Sequence, residues 1–537
     1  MGACVSTPRD ADLDAFASAE DAATHLVRAA GKGDTAGVLT VLRSGLNPDV
    51  TPTSTQGGTA LHIACLYGHT DVVACLLEAK ASVDCRDAVG ATPLFAASLK
   101  GHSAVVDLLL AGQGERRSDV AAGTDDGTTA LHAAAAEGHT SVVAALLRAG
   151  APAHALTHDG SVPAHLAAAR GQADALKLLL EAPGASPEVK DSRGATPLHA
   201  ASMYGTPAAV AVLLSKKAAH SPRTKRGTTP LSLAAKRGEA DIARRLLAAG
   251  ADATEPDGRG MQPLLHAASR GHGATVAVLV KQPGVKPDAM SPDGYTALLL
   301  AAFGGHTEAV TALLAGGANP NWKPPPARKR GAGPSSVGPS SQAPADASVS
   351  LDGWTPLLVA AQQGSAGVVS ALLAQGALPN TCLPEDGTTP LMLAAQNGHS
   401  GAMKALLAGG AKVNAVDVDG ATALHCAVLR VRAPSDVDCV RLLLSSGADP
   451  LAAAVSGETP LEMATELPGA VGEDVRRALG AAVARTDGGK GKKSVDVSDS
   501  LSEAGSGSSS RSDGRPPGSP RKRFAAPQLG AIPSLEL

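Results

Sequence analysis

Sixteen histidines and seven cysteines are the side chains of this 537-residue protein best suited to metal binding, proton transfer or thiolate chemistry. Their spacing argues against all three. His62, His132, His165, His199 and His425 share one position of a recurring segment, and His69, His102, His139, His272, His306 and His399 share a second. A residue that returns at a fixed interval performs one repeated structural task, such as bonding loop backbone between neighbouring units. No histidine pair has zinc-ligand spacing. Cysteines 4, 65, 75, 85, 382, 426 and 439 form no C-x-x-C pair. Cys65 and Cys75 fall on apolar helix faces, as small core residues do, and Cys85 follows ten residues later. The run Gly488-Gly-Lys-Gly-Lys-Lys-Ser lacks the spacing of a phosphate loop and has no strand before it or helix after it. With no nucleophile elbow, kinase set or dinucleotide fingerprint either, no catalytic residue, metal or cofactor is expected.

Composition narrows the class further. Hydrophobic residues make up 44% of the chain and aromatics only 2%, so its core is built from small aliphatic side chains that let helices approach closely. The 47 basic and 50 acidic residues give a net charge of −3, which makes no case for nucleic acid. No apolar run approaches the roughly 18 residues of a membrane span. The opening MGACVSTPRD lacks a secretory h-region, and the cysteine usage suits a reducing compartment, so an intracellular protein is expected.

The elements that carry these residues repeat. Gly90-ATPL returns at glycines 127, 160, 194, 227, 260, 294, 353, 387, 420 and 457, and begins at Gly57-GTAL. The steps are 33 or 34 residues, apart from two of 37 and one of 59. In each unit the Gly makes a turn, and a Thr two residues later, present in ten of twelve copies, caps a helix. Pro often occupies the first helical position. A short Ala-rich helix closes at a second Gly, and a second helix follows with a stripe such as Val142, Val143, Leu146, Leu147. One such pair cannot cover its own apolar faces, but a stack can.

Leu61-His62-Ile63-Ala64 with Gly68-His69, Thr92-Pro93-Leu94 with Gly101-His102, and Thr196-Pro197-Leu198-His199-Ala200-Ala201 closely resemble the ankyrin repeat. The resemblance covers about residues 20–484. It implies an all-α solenoid of helix-turn-helix repeats with β-hairpin-like fingers, a concave face made of fingers and first helices, and a protein-binding role without catalysis.

Departures from the pattern mark ends and insertions. Ala22–Leu46 has the helix pair without the TPLH motif, as an N-terminal cap would. Gly457–Ala484 carries Glu462 in the histidine position and an irregular linker from Glu466, as a C-terminal cap would. The junction from Leu429 to Asp436 is three residues longer and should bulge. The organisation expected is a flexible N-terminal segment (1–19), cap plus eight repeats (20–321), a disordered Pro/Ser/Gly-rich insertion (322–350), four repeats (351–484) and a disordered tail (485–537). The insertion is either a loop on a continuous stack or a hinge, and the small entropic cost of a long loop favours continuity.

Met-Gly-Ala-Cys-Val-Ser fits the N-myristoylation pattern M-G-x-x-x-[ST], with Gly2 as acceptor and Cys4 placed for palmitate. This start resembles the MGxCxS openings of plant and algal signalling proteins. One myristoyl chain binds a bilayer marginally, so a second signal is needed and Cys4 supplies a candidate. Ser519-Pro520-Arg521-Lys522 matches a proline-directed phosphorylation pattern beside a basic triplet, where phosphate would weaken attraction to anionic lipid.

The family resemblance places partner contacts beside the turn Gly and at the end of each first helix. Those positions hold Arg170, Arg193, Lys225, Arg226, Lys236, Arg237, Arg259 and Arg270, with Met203 and Tyr204, and then Tyr295, Phe303 and Trp354. Arg and aromatic residues anchor interfaces. A partner protein with an acidic segment is expected, with membrane phosphate as the rival ligand and no nucleic acid or small-molecule substrate. The expected function is an adaptor or scaffold tethered to the cytoplasmic face of a membrane, the plasma membrane first. The alternative is a soluble cytosolic or nuclear regulatory subunit or inhibitor of an enzyme or transcription factor.

Overall fold

The computed structural model describes residues 18–52, 57–112, 117–324 and 353–487. Twenty-six α-helices and no strand occur among them. They belong to two compact units, Met1–Pro263 and Leu264–Leu537.

Both units are built from one motif, and Ala130–Glu137 with Thr140–Arg148 illustrates it. Thr129 is extended and begins the first, inner helix; its N–H donates to Nδ1 of His132 at 3.2 Å. In several other repeats Pro occupies the first helical position, as at Pro93, Pro197 and Pro230, where it costs no hydrogen bond. Inner-helix Leu131, Ala134 and Ala135 and outer-helix Val142, Val143 and Leu146 are fully buried. Alanine on the inner helices allows the next inner helix to lie close, so 130–137 packs on 163–170 and 163–170 on 197–204.

Between the inner helix and the outer one stands a left-handed glycine. Gly101 has φ +78°, and a Cβ placed there would lie 2.5 Å from Nδ1 of His139 in the following repeat. Glycine is therefore needed twice over, for its backbone and for the ring stacked on it.

Most fingers end in a turn whose tip is tied to the next. In the first unit Asp125 N–H donates to Val89 O, His158 to Asp126 O, Ser192 to Asp159 O, Lys225 to Arg193 O and Gly258 to Arg226 O, at 2.8–3.0 Å. In the second unit Val418 donates to Asp386 O and Val455 to Asp419 O, both at 2.9 Å. Within several fingers a backbone bond closes the turn, such as Asp191 N–H to Ala195 O at 2.9 Å, and isolated bridges join Gly123 with Thr129 and Met290 with Thr296.

The first unit begins with the helix pair Ala19–Lys32 and Thr35–Arg43. The second ends with Pro460–Thr465 and a 19-residue helix, Gly469–Asp487, so most of the segment read as an irregular linker after Glu466 is helical. Arg476 supports this end by donating to the carbonyls of Ala464 and Leu467 at 3.0 and 2.9 Å. The expected bulge after Leu429 is a 3-10 turn, Pro434–Asp436. Oδ2 of Asp436 accepts from the N–H groups of Arg432 and Ala433 and lies 3.7 Å from Arg430.

Residues 325–352, which include most of the expected disordered insertion, lie outside the described residues, as do those after 487. On either side of the insertion, Ala297–Phe303 packs on Pro356–Gln363 and Thr307–Ala315 on Ala366–Ala374. The Asn321 amide donates to Gly376 O at 2.9 Å and accepts from Leu378 N–H at 2.8 Å. Asn380 and Asn414 make the same pair of bonds to their own following repeats. The repeats around the insertion are thus stacked like any others in the second unit.

Candidate protein-binding groove

The two histidine series bond neighbouring repeats in opposite directions. In the first, Nδ1 of His199 accepts from Thr196 N–H at 3.0 Å, while Nε2 reaches Thr228 O in the next finger at 3.0 Å. His62, His132, His165 and His425 repeat this with Ala91, Ser161, Ala195 and Glu458. Both ring nitrogens are occupied by backbone, and accepting at Nδ1 fixes the neutral tautomer that donates from Nε2. Burial lowers the pKa of all five, that of His199 to about 4. The second series points backward: Nε2 of His69, His102, His139, His306 and His399 meets carbonyls of Gly31, Leu66, Leu99, Ser269 and Gln362. These rings are inter-repeat connectors. Glu462 takes the histidine position in the last repeat and caps Thr459 N–H at 2.9 Å.

Cys65 is fully buried and its thiol is pushed up by burial. Cys75 is partly exposed on its outer helix, which departs from the expected core position. Cys85 sits 3.4 Å from the Thr59 hydroxyl, and burial pushes its thiol to about 11, away from a reactive thiolate. Among the described residues no group of three His, Cys, Asp or Glu could hold a metal, and no helix is long and apolar enough to cross a membrane.

In the first unit a groove of about 660 Å³ lies over the inner helices and their fingers. Its floor is Leu166, Ala169, Ala200, Met203 and Leu233, from three consecutive inner helices, with Tyr204 at the edge. Its finger wall carries Asp159, Asp191, Arg193, Lys225 and Arg226. The charges on that wall are not equivalent. Asp191 Oδ1 accepts from the N–H groups of Arg193 and Ala195 at 2.9 and 2.7 Å, and Asp159 accepts from the Thr157 hydroxyl and Ser161 N–H. The Thr157 bond holds Asp159 below the usual carboxylate range. Both carboxylates accept from their own turns, Asp191 half-buried and Asp159 exposed, and Arg193, Lys225 and Arg226 are exposed at the tips. The groove therefore pairs an apolar floor with a rim of three cations and two carboxylates, net positive and with its cations concentrated at Lys225 and Arg226.

Five residues selected from sequence, Arg193, Met203, Tyr204, Lys225 and Arg226, meet in this groove. Tyr204 is 61% exposed. Lys236 and Arg237 close the adjoining inner helix Pro230–Arg237 without lining the groove. Arg270, Tyr295, Phe303 and Trp354 belong to the second unit. There Arg270 is exposed at the end of an inner helix, and Tyr295 and Phe303 are half-buried. Trp354 departs from the expected partner-facing anchor: it is only 3% exposed. It precedes the capping Thr355 as Ala91 and Ala421 precede Thr92 and Thr422, and these side chains are all buried. The floor residues Leu166, Ala200 and Leu233 were not selected, although each directly follows the repeated His or Ser position and could have been found by that offset. Gly2, Cys4 and Ser519 lie outside the described residues.

A family model for ankyrin repeats (three copies) matches residues 26–119, 113–191, 164–257, 249–323, 341–417 and 357–454. Two curated proteins are similar over shorter stretches. Probable E3 ubiquitin-protein ligase XBOS33 of Oryza sativa subsp. japonica is 41% identical over 88 residues, 16% of this chain and 16% of that protein. Rabankyrin-5 of Mus musculus is 38% identical over 66 residues, 12% of this chain and 6% of that protein. The matches thus span a small part of either relative.

Proposed function

Because this chain belongs to the ankyrin-repeat family, whose repeats serve protein–protein interaction, we propose that it is a non-enzymatic adaptor that holds an acidic segment of a partner protein in the groove of its first unit. One observation carries this reading: Arg193, Lys225 and Arg226 rim an apolar floor and outnumber the nearby carboxylates of Asp159 and Asp191. Cations of this kind steer an acidic partner and set its register, and the floor with Met203 and Tyr204 supplies area to bury. The pattern from Met1 to Ser6, with Cys4, supports a further element, attachment of the adaptor to the cytoplasmic face of a membrane through acylated Gly2 and Cys4.

Quantitative affinity purification of the full chain from its native cells tests both parts. The double variant Lys225→Glu with Arg226→Glu should lose partners that wild type retains, with an unchanged melting curve, because exposed charges contribute little to stability. An identical partner set would overturn the groove assignment. Gly2→Ala should move the protein from the membrane to the soluble fraction. Unchanged fractionation, or a native N-terminus without acyl mass, would overturn the tether and leave a soluble regulator.

A further inference from the structure

Resting on the groove reading above, we infer that the partner segment is recognised in extended form by two features at a fixed spacing: a bulky apolar side chain and an acidic pair about three residues away. The spacing comes from the stack. Ala169 and Ala200 are small, and Leu166, Met203 and Leu233 stand around them, so the floor has a depression centred on the repeat of helix Pro197–Tyr204. The exposed ring of Tyr204 borders it. A Phe- or Leu-sized side chain fits that depression, whereas Gly or Ser leaves it empty.

The strongest cationic rim does not lie over the same repeat. Lys225 and Arg226 occupy the finger that leads into the next inner helix, Pro230–Arg237, and are tied to the preceding fingertip by Lys225 N–H donating to Arg193 O at 2.9 Å. Neighbouring packed helices are about 8–10 Å apart. An extended chain advances about 3.3 Å per residue, so one repeat corresponds to about three residues. A side chain seated in the depression therefore places residues three and four positions along the segment beneath Lys225 and Arg226. Arg193, over the depression itself, faces the backbone between. A helical segment advances only about 1.5 Å per residue and would bring the two features together only if they were six or seven residues apart.

Fluorescence anisotropy with labelled nonapeptides on the full chain tests this. The probe Gly-Ser-Phe-Ser-Gly-Glu-Glu-Ser-Gly, and its reverse order to allow either chain direction, should bind about tenfold tighter than versions with Phe replaced by Gly, or with the Glu pair moved next to Phe. Ala200→Leu, which fills the depression, should abolish the preference for Phe over Gly. Lys225→Glu with Arg226→Glu should invert the charge preference, so that the probe with Lys-Lys in place of Glu-Glu binds better. If every Glu-containing peptide binds equally whatever its spacing, and the double variant still weakens them all, the spacing inference falls and the groove reading stands. If the double variant and Ala200→Leu leave all affinities unchanged, both fall.

Discussion

The Nε2–H of His199 donates to the carbonyl oxygen of Thr228 at 3.0 Å, across the boundary between two repeats, while its Nδ1 accepts from Thr196 N–H. One imidazole, 1% exposed, thus caps its own helix and holds the next finger in place. Replacing it by Ala leaves the buried Thr196 N–H without its partner, takes one of two bonds from Thr228 O, which keeps the Thr224 N–H, and opens a cavity. His199→Ala should destabilise the first unit by about 2–4 kcal/mol. Urea unfolding of the full chain checks this, and a loss under about 0.5 kcal/mol would contradict the connector role.

The same series makes stability pH-dependent. Unfolded histidine titrates near 6.5, whereas burial lowers all five folded values and takes that of His199 to about 4. Below pH 6.5 the unfolded chain takes up protons that the folded chain refuses, so stability is full above that pH and falls as the solution is acidified toward each folded pKa. His199 alone accounts for roughly 3 kcal/mol across its window. Urea midpoints at pH 7.5, 6 and 5 should decline in that order, and His199→Gln should flatten the decline. Equal midpoints would refute the account.

At Gly101 two penalties combine. Alanine there would be forced into a left-handed conformation and would meet the His139 ring at 2.5 Å. Gly101→Ala should cost about 2 kcal/mol or more. Part of that cost should disappear in a His139→Ala background, because the ring is gone but the strained φ remains. A double-mutant cycle measures the difference, and strict additivity would show that the ring contact carries no weight.

Trp354→Ala should act on folding. With the indole 3% exposed, truncation should lower stability by about 3–5 kcal/mol. Hydrogen exchange should quicken in the helices Ala297–Phe303 and Pro356–Gln363. A variant with wild-type melting would mean that the ring is dispensable to the core.

Asn321→Ala removes both bonds to Gly376 and Leu378 on the far side of the insertion. These groups are exposed, so the cost should be about 1 kcal/mol. Asn380→Ala should cost a similar amount at the next junction. A much larger effect at Asn321 would indicate that the insertion-bearing junction depends on this side chain more than its neighbours depend on theirs.

Much of this architecture is legible in the sequence because its determinants are local. The turn Gly, the capping Thr, Pro at the first helical position and the closing Gly each impose backbone geometry within a few residues, and their return every 33 or 34 positions identifies the repeat. The structural role of the histidines follows from that periodicity too, since a residue present in repeat after repeat serves the repeat. The start of the helix Gly469–Asp487 is not legible because Leu467-Pro468-Gly469 looks like a loop, while Arg476 closes the preceding carbonyls from nine and twelve residues away. Groove membership is likewise decided by tertiary structure. Arg226 and Trp354 both flank a turn glycine, yet Arg226, one position before Gly227, stands in solvent while Trp354, one position after Gly353, turns into the core. Which side of the glycine faces the neighbouring repeat depends on how consecutive fingers stack, and burial is a sum over those neighbours. The sequence alone determined the repeating unit and its connectors; only the stacking of one unit on the next decided which of the selected side chains remain available to a partner.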